Sequence, residues 1–193
     1  NCLMEEKLFG YPQFDDQGEM ILSTYDNAYK AMLMDVRVYR LKAGEKRMFK
    51  KDGEEMALLL LKGKILYRFD GKEEAGERKD VFTDGPYCVH VSNNTEVEAE
   101  ALAETEILVQ CTKNDRSFEP RFYVPEDAPW KYSAVGKFGN VAKRRVNTIF
   151  DIDIAPYSNM VLGEVLNDRG NWSGYLPHRH PQPELYYFMF DRP

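Results

Sequence analysis

Two of the chain's three histidines stand in one short array, His178-Arg-His180-Pro-Gln-Pro-Glu184. In extended backbone, residues i and i+2 project to one face, so His178 and His180 present their imidazoles together. Pro181 and Pro183 bar a regular hydrogen-bonded strand there and favour a turn that returns the Glu184 carboxylate to the same face. Two neutral imidazoles and one carboxylate suit Zn, Mn, Fe, Ni or Co and leave coordination positions open for water or substrate. A divalent ion held this way polarises a bound carbonyl and stabilises the negative charge of an enediolate. The bland alternative is a surface pair of histidines beside an ordinary acid. Against it stands the aromatic run Leu185-Tyr-Tyr-Phe-Met-Phe190, which reads as a buried strand anchoring the array inside a barrel.

The elements that must position this array are strands. Val36–Leu41, Met56–Leu61, Lys64–Phe69, Tyr87–Val91 and Ile107–Cys111 are short apolar runs, several of them alternating with polar residues, and no long amphipathic helix is evident. Hairpin turns are expected at Leu61-Lys-Gly-Lys64 and Asp70-Gly-Lys-Glu73, where Gly63 and Gly71 supply positive φ. Such close strand spacing predicts a sandwich or barrel. Pro120 to Pro129, with three prolines and several charges, predicts a linker. Beyond it Lys143–Ile154 and Met160–Leu166 resume the strand pattern up to the histidine array. His90 has no paired histidine nearby, so it reads as a strand residue with structural or interface duty. Tyr186 and Tyr187 alternate faces, which lets at most one of them share a face with a metal, and packing is the expected role of both.

The chain has 193 residues, 43% of them hydrophobic, enough to bury a core in one or two domains. A net charge of −6 with basic residues scattered among acidic ones argues against a nucleic-acid partner. The longest apolar run, Met56–Leu61, falls far short of the roughly 20 residues that span a bilayer, and the start lacks a signal-peptide core. No membrane partner and a cytoplasmic location follow as expectations. Cys2, Cys88 and Cys111 are odd in number and widely spaced, which fits reduced thiols. Residue 1 is Asn rather than Met, so a processed or clipped start is expected.

Gly170-Asn-Trp-Ser-Gly-Tyr-Leu-Pro-His-Arg-His180 followed by Glu184-Leu-Tyr-Tyr-Phe188 resembles the 5-deoxy-glucuronate isomerases of myo-inositol breakdown, whose relatives are the 5-keto-4-deoxyuronate isomerases of pectin breakdown. The array also resembles the first motif of the cupins: a glycine, H-x-H, then a glutamate. The resemblance extends back through Arg145-Val-Asn-Thr-Ile149 and the N-terminal half. It implies an all-β bicupin of double-stranded β-helix (jelly-roll) barrels, with a degenerate first barrel over residues 1–124 and an incomplete second over 125–193. Residues 125–193 indeed fall short of the roughly 100 residues of a typical domain. Family members carry a second motif whose histidine completes the metal site, and the chain ends at Pro193 before one.

The resemblance further implies a divalent metal on His178, His180 and Glu184 and conversion of 5-deoxy-D-glucuronate to 2-deoxy-5-keto-D-gluconate, with a proton moved from C2 to C1. Truncation leaves the chain's own activity open. No catalytic base is assigned. The carboxylate of a uronate calls for a cation: Arg145, which matches the family's R-x-V position, and its neighbour Lys143 are the candidates, against a reading as a solvated charge run. Arg179 faces away from the two histidines. Rival functions are the pectin-pathway ketol-isomerase, a two-histidine, one-carboxylate oxygenase, and a non-catalytic metal- or sugar-binding cupin. A homo-oligomer is expected, since an incomplete barrel exposes sheet edges.

Overall fold

Residues 9–192 are described by the computed structural model, so Cys2 and Pro193 lie outside the described residues. The strands follow the apolar runs: β1 (Glu19–Ser23), β2 (Asp35–Leu41), β3 (Lys46–Phe49), β4 (Glu54–Phe69), β5 (Lys72–Arg78), β6 (Cys88–Val91), β7 (Val97–Ala101), β8 (Thr105–Lys113) and β9 (Arg121–Tyr123). They form one 9-stranded antiparallel sheet, in which β1-β2-β8-β4-β6-β9 make one wall and β5, β7 and β3 continue from the far half of β4. A 3-stranded sheet, β10-β11-β12, follows, with β10 (Lys131–Ser133), β11 (Arg144–Phe150) and β12 (Leu162–Leu166). The class is all-β, as expected, and among the described residues no helix is long and apolar enough to cross a membrane.

Two local expectations need correction. The turn expected at Leu61–Lys64 is absent, because β4 runs unbroken for 16 residues through it. Its pairing with β8 shifts between Leu60 and Lys62, and Gly63 sits at φ 102° against the backbone of Glu104 and Thr105. Gly63 thus marks a bend where the strand leaves one wall for the other, a close backbone approach that a Cβ would obstruct. The turn at Asp70-Gly71 is present, with both φ positive and Phe69 paired to Lys72, the geometry of a two-residue hairpin. The expected linker is likewise shorter than Pro120–Pro129, since Arg121–Tyr123 forms β9 on β6 and buries Tyr123.

The period-2 alternation of β4 divides its side chains between two cores. Met56, Leu58 and Leu60 point into the core between the two walls with Val89, Val91, Ile107 and Val109. Ala57, Leu59 and Leu61 point outward, where they meet Ile149, Phe150, Ala155 and Met160 from beyond the linker. The second part of the chain is therefore seated on the outer face of the first sheet.

Candidate functional site

The histidine array lies in extended chain after β12. His178 Nδ1 donates to the Leu176 carbonyl at 2.7 Å, which fixes the tautomer and leaves Nε2 as the nitrogen free to bind. The His178 and His180 rings have centroids 5.6 Å apart. His180 Nε2 meets Glu184 Oε1 at 3.0 Å, and Tyr186 Oη donates to Glu184 Oε2 at 3.2 Å. The turn through Pro181 and Pro183 thus brings the carboxylate back to the second histidine. Among the described residues no three His, Cys, Asp or Glu side chains converge as a formed cation cage.

The donor set nevertheless fits a divalent cation. Two ligands each about 2.0–2.1 Å from one ion and at tetrahedral or octahedral angles stand about 3 Å apart, which is the His180–Glu184 separation. The structure brings His180 and Glu184 together in this way; His178, its ring centroid 5.6 Å from that of His180, is not gathered with them.

The run expected as a buried strand, Leu185–Phe190, is not one: no sheet pairing is assigned to it. Leu185, Tyr187 and Met189 pack on the core shared with the first sheet, while Tyr186, Phe188 and Phe190 face outward, at 60%, 56% and 78% exposure. Alternation holds, but only one face finds a neighbour and neither edge finds a strand to pair with among the described residues. This run forms one side of a groove of about 1820 Å³, whose floor is the outer face of the first sheet and whose other side is β12.

Of the two cations expected to meet a substrate carboxylate, Arg145 lines this groove together with Glu184, Glu164 and Gln110. It shares a face of β11 with Asn147 and Ile149, the side turned to the first sheet. Lys143 instead stacks its ammonium 4.6 Å from the centroid of Tyr132, so it is committed to an aromatic neighbour. Arg179 is exposed.

Two buried polar clusters, not anticipated from the sequence, stitch the second part to the first. Glu55 is fully buried. Its Oε1 accepts from His90 Nε2 at 3.1 Å and Ser158 Oγ at 2.5 Å, and its Oε2 accepts from the Asn159 amide at 2.9 Å and from Asn114 Nδ2. Burial alone would raise its pKa, but the hydrogen bonds from His90, Asn114, Ser158 and Asn159 outweigh it and hold the carboxyl below its ordinary range. The His90 ring lies flat on Phe150, 4.1 Å between centroids, so its duty is at the interface. In the second cluster, buried Arg78 clasps Glu164 through two bonds of 2.8 and 3.0 Å and also bonds the Leu60 and Asp84 carbonyls. Asn147 Nδ2 completes it on Glu164 at 2.8 Å. A signal was present: Glu55 shares strand parity with Ala57, Leu59 and Leu61, which marks it as facing whatever covers that side.

A family model described as the KduI/IolB family matches residues 9–193. Similar curated proteins include the 5-deoxy-glucuronate isomerase of Geobacillus kaustophilus (strain HTA426), 32% identical over 151 residues that cover 77% of this chain and 53% of the relative. That of Bacillus subtilis (strain 168) is 26% identical over 170 residues, covering 86% and 60%. The chain spans about half the length of the curated relatives it matches. Among solved structures, an IolB-like protein from Salmonella typhimurium LT2 superposes with a TM-score of 0.63 at 21% identity, covering 72% of this chain and 52% of that one. A putative glyoxylate-induced protein from Pseudomonas aeruginosa gives 0.58 at 9% identity, covering 77% and 55%. These two likenesses concern the fold alone.

Proposed function

This chain belongs to the KduI/IolB family, and from that premise we propose that it is part of a metal-dependent aldose–ketose isomerase acting on 5-deoxy-D-glucuronate. In this reading the 9-stranded sheet is a cupin barrel serving as scaffold, and residues 125–193 begin a second barrel that carries the site. The observation that supports it best is the 3.0 Å approach of His180 to Glu184, beside a histidine whose Nε2 is left free.

His178, His180 and Glu184 would hold the metal, which supplies Lewis-acid polarisation of the sugar carbonyl and so favours loss of the neighbouring proton. The residues of the chain do the rest. Arg145, on the groove wall with Glu184, offers a guanidinium to the uronate carboxylate. The Leu176 carbonyl holds the His178 tautomer. The Arg78–Glu164 clasp keeps β12 against the first sheet and with it the shape of the groove.

The test is to measure metal content and turnover of 5-deoxy-D-glucuronate, with 5-keto-4-deoxyuronate as the competing substrate, for the chain and for His178→Ala/His180→Ala. About one equivalent of divalent metal in the chain, lost from the variant, supports the site. Turnover by the chain that the variant lacks supports the reaction. Equal metal content in both proteins sinks the reading.

A further inference from the structure

We infer that Tyr186 is a positioning residue that aims the Glu184 carboxylate at the two histidines; this rests on the metal-site reading of His178, His180 and Glu184. The two oxygens of Glu184 are divided between neighbours: Oε1 faces His180 Nε2 at 3.0 Å, and Oε2 accepts the Tyr186 hydroxyl at 3.2 Å. A glutamate side chain at 50% exposure has three rotatable bonds to immobilise when it takes a ligand. A tyrosine has two, and this ring is itself braced, stacked on Phe188 with centroids 6.2 Å apart and planes 26° apart.

The strand-like alternation explains why this tyrosine and not its neighbour has the task. Glu184, Tyr186 and Phe188 lie on one face of the extended run, the order being carboxylate, hydroxyl, brace. Tyr187 lies on the other face with Leu185 and Met189, packed on the shared core. Tyr186 is 60% exposed and contributes little to that core. Its hydroxyl holds one carboxylate oxygen outward and thereby leaves the other presented to the histidine side, as the outer hydrogen-bonding partners of metal ligands do.

The test is cobalt(II) binding by the full chain, followed by calorimetry and by the visible absorption of the bound ion, for the unaltered protein, Tyr186→Phe and Tyr187→Phe. Removing only the hydroxyl from Tyr186 is expected to weaken binding about tenfold, the low end of the range for such partners, and to change the visible spectrum, with the unfolding midpoint unchanged. Tyr187→Phe should leave affinity and spectrum as they were. Unchanged affinity and spectrum in Tyr186→Phe overturn the inference while leaving the metal site standing. An equal loss in both variants also overturns it, since that marks general loosening. If the unaltered chain takes up no cobalt, or His178→Ala/His180→Ala binds it as well, the site reading itself falls.

Discussion

The molecule contains two histidine–glutamate pairs of nearly equal length and opposite character. His90 and Glu55 meet at 3.1 Å with both side chains wholly buried; His180 and Glu184 meet at 3.0 Å with 31% and 50% of theirs exposed. Glu55 has four hydrogen-bond donors, and the face of His90 is covered by Phe150. One ring nitrogen, His90 Nδ1, has no partner, but it is sealed from solvent and so out of a ligand's reach. Glu184 has two neighbours, and His178 beside it keeps a free nitrogen. A contact distance alone therefore does not distinguish a fastener from a binding site; access to solvent and the number of donors already gathered on the carboxylate do.

Removing the carboxylates one at a time should separate the two pairs most widely. Glu55→Ala strands the buried His90 and Asn114 donors and the part-buried Ser158 hydroxyl and Asn159 amide, and is expected to lower stability by about 3–5 kcal/mol, read from urea unfolding midpoints. Glu184→Ala should stay within about 0.5 kcal/mol, as surface changes do. Equal destabilisation would erase the distinction.

Acid offers a gentler version. The Glu55 carboxyl is held below its ordinary range in the folded state, so its stabilising contribution is present above the unfolded pKa and is lost as pH falls through the folded one. The urea midpoint should therefore drop on acidification below about pH 5, less steeply in Glu55→Gln. A parallel dependence in both proteins would show that Glu55 does not carry the acid sensitivity.

The smallest effect expected is a difference in thiol labelling. Burial pushes Cys111 up to about 12 and Cys88 higher still, so both should resist alkylation at neutral pH in a Cys2→Ser background. Cys111 belongs to the core between the walls of the first sheet and Cys88 to the junction core. Glu55→Gln should hasten labelling of Cys88 relative to Cys111; identical rates would mean that the two cores open as one.

Much of this was legible in residue patterns. The strand runs from Val36 to Cys111 and the Asp70-Gly71 hairpin lie where alternation and turn chemistry put them, because both signals are local. The path of β4 through Gly63 was not legible: a glycine with positive φ serves a hairpin or a bend equally well, and only the approach of Glu104 and Thr105 decides. Glu55 and His90 are 35 residues apart, so no spacing rule joins them. For the candidate site, spacing marked His178, His180 and Glu184, and the structure gathers His180 with Glu184. The run after them was read as buried strand because its residues are aromatic, yet burial needs a covering surface, and only one face has one. Between Lys143 and Arg145, neighbours made the choice: Arg145 lines the groove, while Lys143, just before β11, sits over Tyr132.

The unbroken course of β4 also sets an order of events in time. This one strand pairs with its hairpin neighbour β5 and with β6, β7 and β8, the last three drawn from farther along the sequence, and such non-local pairings form slowly. Until they do, Ala57, Leu59 and Leu61 have no common plane and Glu55 no fixed address. The chain beyond the linker thus has nothing to settle on during synthesis until β8 and β9 have emerged and closed the wall, and the groove is the last feature to take shape.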